Sequence, residues 1–251
     1  MKKPAVAQAI NVVKDLGEDA AKVRAVKGIT LSLHPGEFTL LMGPSGSGKT
    51  TLLSMLGCIL TPTTGNIVIA GQDTAGMKPD ALARLRREQI GFIFQSYNLF
   101  PTLTALENVA LSLDICGMPW PEAEKRAKNA LQAVSLEHRL KCYPSKMSGG
   151  EQQRVAFARA IAGSPALVLA DEPTAALDGK NGHAVMSLLA EITHQQQRAV
   201  LAVTHDPRTL SYADRVLKIE DGRIIEDDRP SHSSAANARE HGARKQKKIS
   251  A

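Results

Sequence analysis

Gly43-Pro-Ser-Gly-Ser-Gly-Lys49-Thr50 constrains this chain more than any other stretch, because it fits the spacing G-x-x-x-x-G-K-S/T and lies at a junction between two kinds of secondary structure. Before it, Phe38 to Met42 is a uniformly apolar run that reads as a buried strand; after it, Lys49 to Leu60 reads as a mostly apolar helix. Glycines let a loop there wrap closely enough for its N–H groups to point at phosphate oxygens. Lys49 then reaches the β- and γ-phosphates, and the Thr50 hydroxyl suits magnesium. Gly43, Pro44, Ser45, Gly46, Ser47, Gly48, Lys49, Thr50 and Thr51 are therefore the expected phosphate-binding residues. A strand, a glycine loop and a helix in this order open a nucleotide-binding α/β unit.

The remaining pattern extends that unit. Ile29 to Leu33 alternates and ends at the turn His34-Pro35-Gly36-Glu37, and Gly65 to Gly71 reads as a hairpin strand bracketed by glycines, so a small antiparallel sheet is expected near the N-terminus. From about Pro79 to Tyr143 the sequence reads as largely helical, broken at Gly91, Pro101 and Gly117-Met118-Pro119, as an inserted helical subdomain would be. Strand-like runs return at Ala166 to Ala170 and Ala199 to Val203, with helical His183 to Ile192 between them, the alternation of a parallel sheet.

Two further stretches carry chemistry. Val168-Leu-Ala-Asp171-Glu172 is an apolar strand ending in adjacent carboxylates, the end at which a parallel sheet places its ligands. Asp171 would hold magnesium through water and Glu172 would polarise an attacking water as general base. Alone the pair is weak, since Asp-Glu after a strand commonly caps a turn. Ser148, Gly149, Gly150 and Glu151 open a helical run and form a second anion site, because a helix N-terminus presents free N–H groups and a positive dipole. Two phosphate elements with one lysine-bearing loop make sense if the second serves a nucleotide held by another copy.

The formal charge of +6 invites a nucleic-acid reading, but six Lys/Arg and one acid lie from Arg229 onward, which leaves the body near +1. Residues 229–251 read as a basic, disordered tail that could meet anionic headgroups, a solvated tail being the simpler reading. Cys58, Cys116 and Cys142 lack metal-ligand spacing and are expected to be reduced. No apolar run of eighteen residues and no signal peptide are found, so a cytoplasmic location is expected.

Taken together, Gly43 to Thr50, Gln95 in Phe92-Ile-Phe-Gln95, Met147-Ser-Gly-Gly-Glu-Gln152, Asp171-Glu172-Pro173, Ala176-Leu177-Asp178 and His205 in Val203-Thr-His205-Asp206 resemble, in order and spacing, the ABC ATPases, and the text from Gly71 to Val109 looks like the macrolide-export and lipoprotein-release branch. The resemblance covers about Val23 to Arg223. It implies an α/β fold with a P-loop NTPase core, a parallel sheet, the inserted helical subdomain and the small N-terminal antiparallel sheet, all within residues 1–228. It also implies ATP and Mg2+ as cofactors, with Thr50, Gln95 and Asp171 near the metal. Gln95 would sense the γ-phosphate and water, and His205 would tie the γ-phosphate to Glu172. Each ATP would lie between the phosphate loop of one subunit and Ser148 to Glu151 of the other. Met147, Glu151 and Ala175 depart mildly from the family pattern. Leu16 departs more, standing where an aromatic residue normally stacks on adenine.

The function expected on this resemblance is that of an ATP-hydrolysing subunit powering export or extrusion through a separate permease, at the cytoplasmic face of the membrane and peripheral to it. Import stays open, because the motifs do not encode direction. Leu99, Phe100, Pro101 and Leu103 beside Gln95 suit either an exposed groove for a permease helix or the filling of the helical subdomain. The alternative is a soluble ABC ATPase acting on DNA or ribosomes. Such proteins carry coiled-coil insertions or paired cassettes, which this sequence lacks, and the near-neutral body argues against nucleic-acid binding. Intact motifs favour a homodimer.

Overall fold

The structure, a computed structural model, describes residues 3–19 and 22–230. Two sheets organise it. Strands β1 (Ala7–Leu16), β2 (Val23–Leu33), β4 (Thr64–Ile69) and β5 (Gln72–Asp73) form an antiparallel sheet in the order β2-β1-β4-β5. The second sheet has the order β10-β9-β3-β8-β7-β6, made of β3 (Phe38–Met42), β6 (Ile90–Ile93), β7 (Leu167–Asp171), β8 (Ala199–Val203), β9 (Arg215–Glu220) and β10 (Arg223–Asp228). Five of these strands run parallel, and β10 closes one edge antiparallel to β9.

Strands β3, β7 and β8 read as unbroken apolar runs because both their faces are covered. Successive residues point to opposite faces, and the structure sorts them accordingly. Leu40, Val168, Ala170, Val200 and Ala202 join one core, with helices α3 (Ala105–Asp114), α4 (Trp120–Ala133), α5 (Gly149–Ala162) and α6 (Gly179–Gln196). Leu41, Leu167, Leu169, Leu201 and Val203 join the other, with helix α1 (Lys49–Leu56) and the antiparallel sheet.

Three expectations are corrected. The helix after the phosphate loop stops at Leu56 rather than Leu60, because Gly57 caps it and Cys58 takes φ 53°. The stretch from 79 to 143 is not helical throughout: after α2 (Pro79–Gln89), β6 enters the parallel sheet beside β7. Gly91 is therefore no helix break; a Cβ there would lie 2.3 Å from the Ala160 carbonyl, so glycine lets α5 press against the strand. Strands β1, β9 and β10 were not read from the sequence as strands at all. Of the basic tail, Arg229 pairs with Glu37 at 2.6 Å, and residues 231–251 lie outside the described residues. Among the described residues no helix is long and apolar enough to cross a membrane.

Candidate active site

The phosphate loop leaves β3 at its C-terminal end and is shaped by two glycines that cannot be replaced without moving backbone. A Cβ at Gly43 would stand 2.1 Å from the Ile219 carbonyl, and one at Gly48, where φ is 99°, would stand 2.3 Å from the Ala25 carbonyl. No side chain caps α1, so its first N–H groups, at Lys49, Thr50 and Thr51, have no intrahelical partner and face outward as an anion cradle. The Lys49 ammonium folds back over the loop and donates to the carbonyls of Gly43 and Pro44 at 2.9 and 2.7 Å.

Around this loop lies a cleft of about 800 Å3 that gathers Gly43, Pro44, Ser45, Gly46, Gly48, Lys49, Thr50, Thr51, Gln95, Glu172 and His205. Glu172 follows β7 with φ 46°, an unusual conformation for a residue with a side chain, and its N–H donates to the Val203 carbonyl at 3.0 Å. The carboxylate is thereby aimed across the end of the sheet, where its Oε1 lies 2.9 Å from Nδ1 of His205. His205 is largely exposed, whereas the Glu172 side chain is mostly covered. Asp171 ends the strand one residue earlier, and the Thr50 hydroxyl donates to its Oδ1 at 3.4 Å. Burial pushes the Asp171 carboxyl above the ordinary carboxylate range, with the Thr50 hydrogen bond pulling the other way.

A hydroxyl on the loop and a half-buried carboxylate at a strand end form the oxygen-rich, sparse donor set that suits magnesium arriving with phosphates. Among the described residues no cluster of three or more His, Cys, Asp or Glu side chains could hold a metal without such help.

Not every expected residue meets the cleft. Ser47 is only 3% exposed and its hydroxyl has no partner; the side chain turns under the loop toward Gly43 and is not part of the cleft wall. Ser148, Gly149, Gly150 and Glu151 do not line the cleft either. They open α5, where Ser148 caps the helix and Glu151 closes a capping box, accepting from the Ser148 N–H at 2.8 Å and from Arg139 at 2.8 Å. The Glu151 carboxylate, expected among the nucleotide-binding residues, is thus committed to the helix start. The Ser148 N–H, then the Arg139 guanidinium, hold it below the usual glutamate range against the effect of burial. Gly150 makes room for Asn181, since a Cβ would come within 2.5 Å of that side chain.

Other residues of the cleft escaped sequence reasoning. Val23, Arg24, Ala25, Asp221 and Gly222 line it, brought there by the antiparallel sheet and the β9–β10 hairpin. Asp221-Gly222 carried a legible signal: Asp-Gly between strands favours a turn with both φ positive, and they take 46° and 74°. Gly222 then donates to the Ser47 carbonyl and accepts from the Lys27 N–H, tying the hairpin to the phosphate loop and to β2.

A second concavity, about 380 Å3, lies beyond Gln95 and is lined by Phe92, Phe94, Asn98, Phe100, Ile115 and Arg159 among others. Phe100 is 51% exposed there, whereas Leu99 packs against the core and so helps to fill the helical subdomain.

Comparison with known proteins bears on this geometry. The family model described as ABC transporter matches residues 26–175. An uncharacterised ABC transporter ATP-binding protein of Thermotoga maritima is 45% identical over 212 residues, 84% of this chain and 89% of that protein. The macrolide export ATP-binding/permease protein MacB of Brucella melitensis is 46% identical over 221 residues, 87% of this chain; the chain spans only about a third, 34%, of that longer protein. An ATP-binding cassette solved as a dimer in a post-hydrolysis state, bound to ADP and Pi, superposes with a TM-score of 0.84 at 39% identity, over 90% of this chain and 99% of that one.

Proposed function

Because the chain belongs to the ABC transporter family, we propose that it is the subunit that binds and hydrolyses ATP and that a separate membrane permease carries out the export or extrusion this cycle powers. The observation that carries the reading is the meeting, on one cleft, of the uncapped start of α1 with Lys49 and of the Glu172–His205 pair.

The chemistry follows from those residues. On ATP binding, Lys49 exchanges its two loop carbonyls for β- and γ-phosphate oxygens, a stronger, charge-assisted contact. Glu172, its direction fixed by its own backbone, accepts the proton of the attacking water on a carboxylate oxygen. His205 keeps Nδ1 on that carboxylate and offers its other ring nitrogen to the γ-phosphate, while the Gln95 amide orients the water. Magnesium bound with the nucleotide would be held by Thr50 and Asp171, with Gln95 beside it, and would neutralise charge developing on the phosphates.

The cleft of one chain is open, and Ser148 with Gly149 and Gly150 present an anion site that this chain's own cleft does not use. A homodimer in which each copy completes the other's site accounts for both. The dimeric cassette bound to ADP and Pi supports this arrangement, and the joining of an ATP-binding part to a permease in MacB supports a membrane partner and a position at the cytoplasmic face.

Glu172→Gln tests the reading. The variant should bind ATP, hydrolyse it at least about 100-fold more slowly, and accumulate as a dimer when sized by light scattering with MgATP. Full turnover would assign the base elsewhere. The same variant, tagged and recovered with ATP from detergent-solubilised membranes, should bring a few-span permease with a large extracytoplasmic domain, identified by mass spectrometry. A many-span permease with a solute-binding protein would mean import; ribosomal or DNA-repair proteins alone would overturn transport.

A further inference from the structure

Between Gln95 and α3 the chain takes a conformation that its own residues disfavour. Tyr97 and Asn98 are consecutive non-glycine residues with φ of 61° and 49°, a left-handed pair that asparagine tolerates and tyrosine does not favour. Their two carbonyls are held from outside: the Arg159 guanidinium donates through Nη2 to the Tyr97 oxygen at 2.8 Å and through Nη1 to the Asn98 oxygen at 2.5 Å. Arg159 is half-buried, burial lowers its pKa, and among the described residues no carboxylate pairs with it. Its planar fork meets these two carbonyl oxygens with one nitrogen on each.

The other end of the segment is pinned differently. Asn108 of α3, 1% exposed, accepts from the Phe100 N–H at 2.8 Å and donates to the carbonyls of Phe100, Leu103 and Thr104. The segment between Gln95 and Thr104 is thus tied to α3 by one side chain and to α5 by the other. Of these two side chains Arg159 acts nearer to Gln95, where the Tyr97 N–H also donates to the Phe94 carbonyl at 3.2 Å and the Asn98 N–H to the Ser96 carbonyl at 2.6 Å. The Tyr97 ring also lies over the start of α5, where a Cβ at Gly149 would come within 2.9 Å of its hydroxyl.

Gln95 faces the nucleotide cleft, while Asn98 and Arg159 face the apolar groove. We propose that Arg159 is a positioning residue for hydrolysis: its fork on the Tyr97 and Asn98 carbonyls holds the left-handed segment that sets Gln95 at the cleft, so that Gln95 moves only with α5. The proposal rests on the reading that Gln95 orients the attacking water. Losing the fork lets Tyr97 and Asn98 relax toward ordinary backbone, which withdraws Gln95 without touching the phosphate loop that binds the nucleotide.

The test is a double-mutant cycle on the full chain, with Gln95→Ala, Arg159→Gln and the pair, reading steady-state ATPase for kcat and KM. Arg159→Gln should lower kcat at least fivefold with KM within twofold, and should lower it no further in the Gln95→Ala background. Arg159→Lys, which keeps the charge but lacks the planar fork, should resemble Arg159→Gln; it replaces it in the cycle if that variant does not fold. Equal fractional losses with and without Gln95 would mean a merely structural role and overturn the latch while leaving Gln95 in place. Full activity in Arg159→Lys would overturn it too. An unaltered kcat in Gln95→Ala would remove the Gln95 reading itself, and the latch with it.

Discussion

Leu16 shows what one side chain decides at this cleft. It is 39% exposed on the cleft wall, and Val23 beside it is 63% exposed. Among the described residues no Phe, Tyr or Trp lines the cleft, and the Arg24 guanidinium there is spent on Asp15, to which it donates at 2.8 and 3.3 Å. Apolar contact without a ring to stack on holds a base but reads little of it. Stacking on an aromatic contributes about 1–3 kcal/mol, so ATP and GTP should compete within about tenfold of each other, and Leu16→Tyr should tighten ATP by at least about fivefold. A competition titration in which ATP wins by a hundredfold would refute this. At this scale the sequence was most legible where a motif dictates the backbone: Lys49, Thr50, Gln95, Glu172 and His205 all reach the cleft. At Ser47 the motif gives spacing and not the direction in which a side chain leaves a tight loop, and the hydroxyl turns under the loop toward Gly43.

Helix α5 carries two duties at one end. Its first turn must cap itself and, in the proposed dimer, also receive a phosphate: Glu151 and Ser148 close the capping box, while the N–H groups of Gly149 and of the buried Gly150 stand in the first turn without an intrahelical acceptor. Glu151→Gln should keep the box, since either side chain closes it, but at pH 7 should lack the stability that the ionised carboxylate gains from the Ser148 N–H and Arg139. The acid limb should differ. Glu151 is held below its ordinary 4.5 by the Ser148 N–H and Arg139, so its ionised form stabilises the fold above that value, and the gain is lost as pH falls through the depressed folded value. The stability gap between wild type and Glu151→Gln should therefore close on acidification below about pH 4.5; a gap that stays constant in denaturant titrations down to pH 3 would exclude the mechanism. Elements were legible where caps and period agreed, as in α3 and α5. They were not where a four-residue strand followed a helix directly: nothing local separates Ile90-Gly-Phe-Ile93 from a helix end, and only its pairing with β7 makes it a strand.

At the scale of the whole molecule the sheet has a working end and an anchoring end. The cleft lies beyond the C-terminal ends of β3, β7 and β8, where Gly43, Glu172 and Val203 meet. The opposite end is fastened by Arg215, 7% exposed, which donates to Asp227 at 2.7 Å through both Nε and Nη2, to the Ser32 carbonyl at 2.7 Å and to Glu37 at 3.2 Å. That one guanidinium joins β2, β9, β10 and the residue entering β3. None of this was legible, because strand order arises from contacts nearly two hundred residues apart and a lone arginine in an apolar run announces no partner. Removing one member of a buried pair costs about 3–5 kcal/mol. Glu37 retains Arg229 at 2.6 Å, so Arg215→Met belongs at or below the lower end of that range. For a domain of this size about 3 kcal/mol corresponds to a fall in Tm of roughly 6–12 °C. Because the network stands at the far end of the strands from the phosphate loop, ATP affinity in the folded variant should stay within twofold of wild type. Thermal unfolding and nucleotide titration on the same preparation separate the two: an unchanged Tm would deny the network its role, and a large loss of ATP affinity with it would mean that the two ends of the sheet are not independent.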